Sequence, residues 1–223
     1  MGLTRERIVQ AAIALLDADG LEDFNVRALG KRLASAATAM YWHVGSKRNL
    51  VALAGDEVWN EVPLPAIEKK SWRAAAKQMA TGLHAMLVRH PWVVHAFGAQ
   101  VLFGPGRARH HDHGLALYEA AGFRGARADQ AATAVFTFVL GNALGVAGAV
   151  ELARQARRRG ARGQAWMRSE MAKAREVAEQ FPRLRARLHT ASAAYGASPR
   201  RAFALGLDAL LDGLERQLRT RRR

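Results

Sequence analysis

Residues 40–50, MYWHVGSKRNL, contain three consecutive side chains that carry hydrogen-bond donors. The Tyr41 hydroxyl, the Trp42 indole N–H and the His43 imidazole can each donate to a phosphate oxygen. Trp42 can alternatively pack into the core with its aromatic bulk. His43 as a metal ligand is disfavoured because no partner His, Asp or Glu stands at ligand spacing. The chemistry that these residue types favour is phosphate contact.

Two cations stand where a new helix is predicted to begin. Ser46 is a good N-cap, and Lys47 and Arg48 are the first two residues after it. Cations oppose the helix dipole at this end, which costs about 0.3–1 kcal/mol in the free protein. An anion bound to the free N–H groups of the first turn reverses that balance. The arrangement predicts a phosphate at Lys47; that both cations are merely solvated stays an alternative.

The elements that must position these residues read as short helices. Thr4 and Asn25 are further N-caps, and Gly20 ends the first apolar-periodic segment. The turn at 34–36 separates two short helical patterns, which is typical of a helix-turn-helix. The predicted helices are 5–18, 26–33, 37–43 and 47–59.

The segment FNVRALGKRLASAATAMYWHVGSKRNLVALAGDEVW (24–59) resembles the DNA-binding domain of the tetracycline-repressor (TetR) family, and the resemblance extends over residues 4–59. It implies that Tyr41, His43 and Lys47 face DNA phosphates and that Arg27 reaches a base or a phosphate. Sequence readout falls to the start of the recognition helix. Alanine and threonine there offer few base contacts, so we expect DNA shape to contribute much of the specificity. The predicted DNA-binding residues are Arg27, Ala37, Thr38, Tyr41, Trp42, His43 and Lys47.

The rest of the chain also reads as helical, which predicts an all-α protein. The proline-containing segment 61–66 reads as a linker. We therefore expect a helix-turn-helix domain at 1–60 and a helical ligand-binding and dimerisation domain at 61–223. Helices at about 128–158 and 199–219 are the candidate dimer interface, with an ordinary monomeric core as the alternative. Their apolar stripes are Val135, Val139, Ala143, Val146 and Val150, and Leu205, Ala209, Leu210 and Leu214.

The resemblance further implies a homodimer that binds a palindromic operator and is released by a small-molecule effector. The tetracycline repressor has a histidine before its Leu-Gly-Thr turn, whereas this chain reads AQVLFGPG (99–106), so tetracycline is not the expected effector. His110 and His113 stand three residues apart, a spacing that can bind zinc with further ligands. They follow the Gly104-Pro105-Gly106 segment, which reads as a turn, so exposed polar residues are expected there instead. The candidate pocket residues are His84, Phe97, Gln100, Phe103, Phe136, Asn142 and Trp166.

Composition limits the remaining classes. The chain of 223 residues has a formal net charge of +15 and no cysteine, which excludes a disulfide scaffold. Residues 24–50 hold five cations and no acid, as a docking face would. No nucleotide-binding, hydrolase or zinc-protease motif is found. We expect a cytoplasmic regulator, with no apolar run near membrane-spanning length, no enzymatic activity and no cofactor. A nonspecific architectural DNA binder, using the arginine-rich run 154–162 and the final RRR, is the alternative.

Overall fold

The computed structural model describes residues 2–68, 71–188, 190 and 199–220. Its regular elements are helices, and no strand occurs among these residues. The predicted all-α class is confirmed. The first four helices are α1 (Arg5–Asp19), α2 (Val26–Leu33), α3 (Ala37–Val44) and α4 (Lys47–Glu57), and a short 3₁₀ turn (Val58–Glu61) follows α4.

The predicted helix starts are confirmed at three side-chain caps. The Thr4 hydroxyl accepts from the Arg7 N–H at 3.3 Å, and the Asn25 side-chain oxygen accepts from the Arg27 N–H at 2.8 Å. The Ser46 hydroxyl accepts from the Asn49 N–H at 3.0 Å. Each cap satisfies one N–H that would otherwise lack a partner. The capping residues therefore set where α1, α2 and α4 begin.

The larger part of the chain forms seven further helices among the described residues. Pro91, Pro105 and Pro182 each occupy the first position of a helix, where the missing N–H costs nothing. The Gly104-Pro105-Gly106 segment is therefore the start of a helix and not a free turn. The helices are α5 (Trp72–Arg89), α6 (Pro91–Ala99), α7 (Pro105–Ala121), α8 (Ala126–Arg158), α9 (Gly160–Glu179), α10 (Pro182–Arg185) and α11 (Pro199–Thr220).

One continuous apolar core joins the N-terminal helices to the larger helical body. Within the first four helices it is built on fully buried side chains such as Ile8, Leu29 and Leu50. Trp59 and Trp92, at the junction with the larger body, are buried in the same cluster. A displacement of the larger body can therefore be transmitted to α4 through packed side chains.

The arginine-rich run 154–162 lies in two helices and contacts the N-terminal region. Residues up to Arg158 belong to α8, and α9 begins at Gly160. The Arg154 guanidinium donates to the Asp17 carbonyl oxygen at 3.2 Å, and the Arg158 guanidinium donates to the Asp19 carbonyl oxygen at 2.7 Å. These carbonyls end α1, where cations are electrostatically favoured. The run braces α8 against the N-terminal helices.

Three of the five residues in the α8 stripe predicted for the dimer interface face the monomer core instead. Val135, Val139 and Ala143 are buried, because α5, α6 and α7 cover this side of α8. On the opposite side Leu144 is 56% exposed. On α11, Leu214 is buried in the core whereas Leu205 is 75% exposed. Both sides of α8 are apolar, so periodicity alone could not tell which side is covered by the other helices.

By its length and its composition, helix α8 could also cross a membrane. An 18-residue window has a mean hydropathy of 1.7, and 22% of that window is buried. The expectation that no segment approaches this length is therefore wrong for α8. The outward side carries glycine, alanine and Leu144 in place of charged residues. Exposed apolar surface of this kind commonly marks an interaction site.

Candidate nucleic-acid interface and effector cavity

The turn between α2 and α3 has the geometry that a helix-turn-helix requires. Ala34 takes a left-handed conformation with φ of 49°, and its N–H caps the carboxyl end of α2. The Ser35 N–H donates to the Gly30 carbonyl oxygen at 3.0 Å. This closing pattern is the usual end of a helix and turns the chain sharply into α3. Helix α3 is thereby packed on the others through Met40, which is fully buried.

The structure places the predicted DNA-binding side chains on the surface. Trp42 is 90% exposed, which does not fit the alternative of core packing. Tyr41 is 38% exposed and shares a shallow surface depression with Thr38 and Trp42. The other described side chains of the predicted set are also exposed: Arg27, His43 and Lys47. The side chain of Ala37 lies outside the described residues.

Lys47 stands at the amino end of α4, as the sequence predicted. Its ammonium nitrogen lies 5.6 Å from the centroid of the Phe24 ring, a cation–π contact. The neighbouring Arg48 is exposed as well. The surface thus offers a cation, free helical N–H groups and hydrogen-bonding aromatics, which together suit phosphate.

A cavity of about 340 Å³ lies between α5, α7, α8 and the 3₁₀ turn. It falls within the size range of small-molecule sites, and apolar side chains dominate its wall. Its aromatic members are Trp59, Tyr118 and Phe136, and burial raises the pKa of the Tyr118 hydroxyl. The polar or charged side chains on the wall are those of Arg107, His110, His111, Thr133, Thr137 and Tyr118.

One of the seven residues predicted for the pocket, Phe136, lines this cavity. Phe97 lies behind it, with its ring centroid 6.1 Å from that of Phe136. Phe103 is 61% exposed. His84 stacks on Phe203 at 4.0 Å, away from the cavity wall. The remaining three are engaged elsewhere: Gln100 with Arg48, Asn142 with the Phe138 carbonyl, and Trp166 with Arg159.

Helix α7 supplies the cavity residues that sequence reasoning missed. Arg107, His110, His111 and Gly114 recur at the three- and four-residue spacing of one helix side. The signal was present, but the Gly-Pro-Gly segment before it was interpreted as a turn followed by exposed polar residues. His113 points elsewhere, with Nε2 2.8 Å from the Pro65 carbonyl oxygen, so the His110–His113 pair does not converge. No cluster of three or more metal-ligating side chains occurs in the described part of the chain.

Asp56 connects the end of α4 directly to the start of α7. Its carboxylate accepts from the backbone N–H groups of Gly106 at 2.9 Å and Arg107 at 3.0 Å. A carboxylate at a helix amino end is favoured by the free N–H groups and the dipole. Gly106 permits the close approach, since a Cβ there would stand 2.4 Å from the Asp56 carbonyl oxygen. The helix that carries Arg107 is thus held against the helix that carries Lys47.

A buried histidine forms a second junction between the two parts of the chain. His90 Nδ1 lies 2.7 Å from Asp17 Oδ1, and Nε2 lies 3.0 Å from Glu61 Oε1. The Trp92 indole donates to the same Asp17 oxygen at 2.8 Å. Burial opposes protonation of His90, but hydrogen bonds to two carboxylates outweigh it, and the pKa of His90 is raised. The protonated ring, a donor at both nitrogens, matches two acceptors.

This raised pKa predicts a loss of stability above neutral pH. Folding favours the protonated ring, so its contribution is complete below the unfolded pKa of about 6.5 and is lost as pH rises through the folded value. We expect the free energy of unfolding to fall as the pH rises above about 6.5. In His90→Gln this slope should be shallower, as measured by urea unfolding at each pH. An unchanged slope would contradict the assignment. His110 does not interfere, because burial lowers its pKa to about 4.

Comparisons with known proteins agree with this architecture. Residues 64–218 match the family model described as tetracyclin repressor-like, C-terminal domain. A helix-turn-helix transcriptional regulator of Saccharopolyspora erythraea is 37% identical over 140 residues, which is 63% of this chain and 59% of that protein. The repressor DrrR1 of Streptomyces coeruleorubidus is 34% identical over 104 residues, 46% of this chain and 38% of that protein. This chain thus spans less than two thirds of these relatives.

Solved structures extend the likeness over nearly the whole chain. The TetR family protein ActR of Streptomyces coelicolor, in complex with actinorhodin, superposes with a TM-score of 0.73 at 26% identity. The match covers 98% of this chain and 99% of that one. A helix-turn-helix at the amino end, followed by a helical body with an internal cavity, defines a ligand-binding regulator class. The chain belongs to the TetR family of transcriptional regulators.

Proposed function

We propose that the protein is a transcriptional repressor that binds a palindromic operator as a homodimer and is released by a small-molecule effector. The observation that carries the proposal is the Asp56 contact between the two candidate sites. The cavity-lining helix α7 is hydrogen-bonded at its first turn to the end of α4. Helix α4 begins at Lys47, next to the exposed aromatics of α3. An effector that shifts α7 would therefore shift the DNA-contacting surface.

Two domains fit this proposal, a DNA-binding domain at 1–60 and an effector and dimerisation domain at 61–223. The relatives are regulators of transcription, and the proposal assigns no catalytic residue. A cytoplasmic location follows from the role. The nonspecific architectural alternative loses support because Arg154 and Arg158 are engaged with α1. Its other element, residues 221–223, lies outside the described part of the chain.

The homodimer is supported by the uncovered side of the α8–α11 pair. The two helices run antiparallel, since Phe138 stacks on Phe203 at 5.7 Å and Arg127 reaches Gln217 at 3.3 Å. Their outward sides carry Leu144 and Leu205. Two copies joined there would form a four-helix interface, which sets the spacing of the two recognition helices. The spacing that successive major grooves require is about 34–36 Å.

Selection of bound sequences from a random duplex library at about 150 mM salt tests the proposal. We expect an enriched palindrome with two half-sites, because a symmetric dimer reads symmetric DNA. The double variant Leu144→Asp/Leu205→Asp is the control, and it should enrich no palindrome. Binding without enrichment, and only at low salt, would contradict the proposal and favour the nonspecific binder.

Lys47→Ala is expected to weaken binding to all DNA sequences by a similar factor. Loss of one phosphate contact should reduce the slope of log affinity against log salt by about one unit. Arg48→Ala is the matched control, since it removes the same charge from the adjacent exposed position. Titrations at four salt concentrations with operator and unrelated duplex measure both quantities. Equal slopes for the wild type and Lys47→Ala would show that Lys47 touches no phosphate.

A further inference from the structure

The cavity contains the guanidinium of Arg107, which has no anionic partner among the described residues. Arg107 lines the cavity, and burial lowers the pKa of its guanidinium. Its Nη1 donates to the Leu102 carbonyl oxygen at 2.6 Å. No carboxylate among the described residues forms an ion pair with its side chain, and both oxygens of the nearby Asp56 accept from backbone N–H groups. A half-buried guanidinium in this state has donors to spare and no counter-charge.

Aromatic rings surround this cation in place of a carboxylate. The guanidinium carbon lies 4.8 Å from the ring centroid of Phe97, 5.4 Å from that of Phe136, 5.6 Å from that of Phe103 and 6.0 Å from that of Trp59. These faces hold the guanidinium in place through cation–π attraction. They supply no lone pairs, so the N–H groups of Arg107 remain available to an acceptor.

Two polar atoms near this end of the cavity are buried without a hydrogen-bond partner in the described part of the chain, and the described wall holds no carboxylate. The Trp59 indole N–H is buried without a hydrogen-bond partner among the described residues, and so is His110 Nε2. The two rings lie 4.9 Å apart, centroid to centroid. Of the described residues that line the cavity, none is Asp or Glu. The described wall beside Arg107 therefore supplies no carboxylate to balance its charge.

The rest of the cavity wall is largely apolar. It is built from Met79, Leu83, Leu117, Val135 and Val139. Phe136 joins this apolar wall to the cationic end, since its ring contacts both the cavity and Arg107. A compact aromatic ring system can pack on this surface while a substituent extends toward Arg107.

We propose that the effector is an aromatic acid, with its ring system between α7 and α8 and its anionic oxygen group on Arg107. The inference rests on the proposed function, because it names the ligand class of the same cavity. A carboxylate is the simplest such group, since its two oxygens match the guanidinium fork. Neutral aromatic compounds of the same shape fill the apolar wall but leave the cation unpaired.

The test compares matched probes that differ in charge. Calorimetry at pH 7.5 measures the affinity of the wild type for three anthracene compounds substituted at position 2. The substituents are a carboxylate, a carboxamide and a protonated aminomethyl group. We expect the carboxylate to bind at least about tenfold tighter than the amide, and the ammonium weakest of the three. Equal affinities of acid and amide, or no binding of the acid, would overturn the proposal without any variant.

Substitutions of single arginines then show which residue causes the preference for the acid over the amide. Arg107→Met should remove the acid's advantage and leave the amide's affinity within about threefold, whereas Arg107→Lys should retain part of the advantage. Arg109→Met is the matched control, because Arg109 is exposed on the same helix and donates to Asn60 outside the cavity. An acid preference that persists in Arg107→Met, or that Arg109→Met removes equally, contradicts the assignment.

Release from an operator duplex is measured separately. An acid that binds through Arg107 without releasing DNA would leave the ligand assignment standing and contradict the proposed function. Release by the amide as efficiently as by the acid would support the proposed function and overturn the ligand assignment.

Discussion

Replacing Leu144 and Leu205 with aspartate together is expected to convert the protein to a monomer and to lower its operator affinity about 100-fold or more. In a symmetric dimer each substitution occurs twice, so four carboxylates would face one another in an interface that excludes water. A monomer engages one half-site at a time and loses the gain of simultaneous binding, which is typically about 10²–10⁴-fold. Sedimentation velocity and operator titration measure the two effects.

Met171→Asp is the matched control for this prediction. Met171 is 64% exposed on α9, so the substitution adds the same charge to an apolar surface position on another helix. The variant should stay dimeric and bind the operator normally. A dimeric Leu144→Asp/Leu205→Asp protein, or a monomeric Met171→Asp protein, would mean that the interface is not on α8 and α11. Circular dichroism confirms that each variant remains helical.

Gly106→Ala is expected to lower the free energy of unfolding by about 1–3 kcal/mol, the usual cost of overpacking. The added Cβ would stand 2.4 Å from the Asp56 carbonyl oxygen and 3.3 Å from the Trp59 Cβ. A backbone oxygen cannot rotate away as a flexible side chain can, so α4 and α7 must separate. The hydrogen bond from Gly106 to Asp56 is strained by the same movement. For a chain of this size each kcal/mol lowers Tm by roughly 2–4 °C.

Gly114→Ala is the control on the same helix. Gly114 is also buried, but the nearest side-chain atom to its added Cβ, Met79 Cε, is 3.9 Å away. Alanine there should be neutral or stabilising by up to about 1 kcal/mol, because glycine disfavours a helix interior. Thermal unfolding compares the Tm of Gly106→Ala and of Gly114→Ala with that of the wild type. If Gly106→Ala is as stable as the wild type, α4 and α7 are not held as closely as the Asp56 contact requires.

Local signals were sufficient for the N-terminal helices. Thr4, Asn25 and Ser46 act on N–H groups within three residues of themselves, so their capping role is encoded locally. Gly20 ends α1 with a φ of 83° for the same kind of reason. Helix α5 ends at Arg89 because Pro91 disfavours the helical conformation of the residue before it. These features therefore could be predicted without knowledge of the tertiary fold.

The cavity could not be predicted in the same way. Phe97, Phe136 and Trp166 are alike as residues, yet of these only Phe136 lines the cavity. Arg107 is separated from Leu83 and Val139 by whole helices, and packing of α5, α7 and α8 brings them together. The polar residues of α7 read as solvent-exposed because a periodic polar pattern does not reveal what covers it.

The sequence by itself determined the helical class, the helix starts of the N-terminal region and the surface chemistry from Tyr41 to Arg48, because each depends on residues within one or two helical turns. Only the tertiary structure decided that Trp42 is exposed while Trp59 is buried, and that the outward side of α8 carries Leu144. It also decided that Arg154 caps α1. The physical reason is that burial depends on which helices pack together, and contacts between distant segments leave no local pattern in the chain.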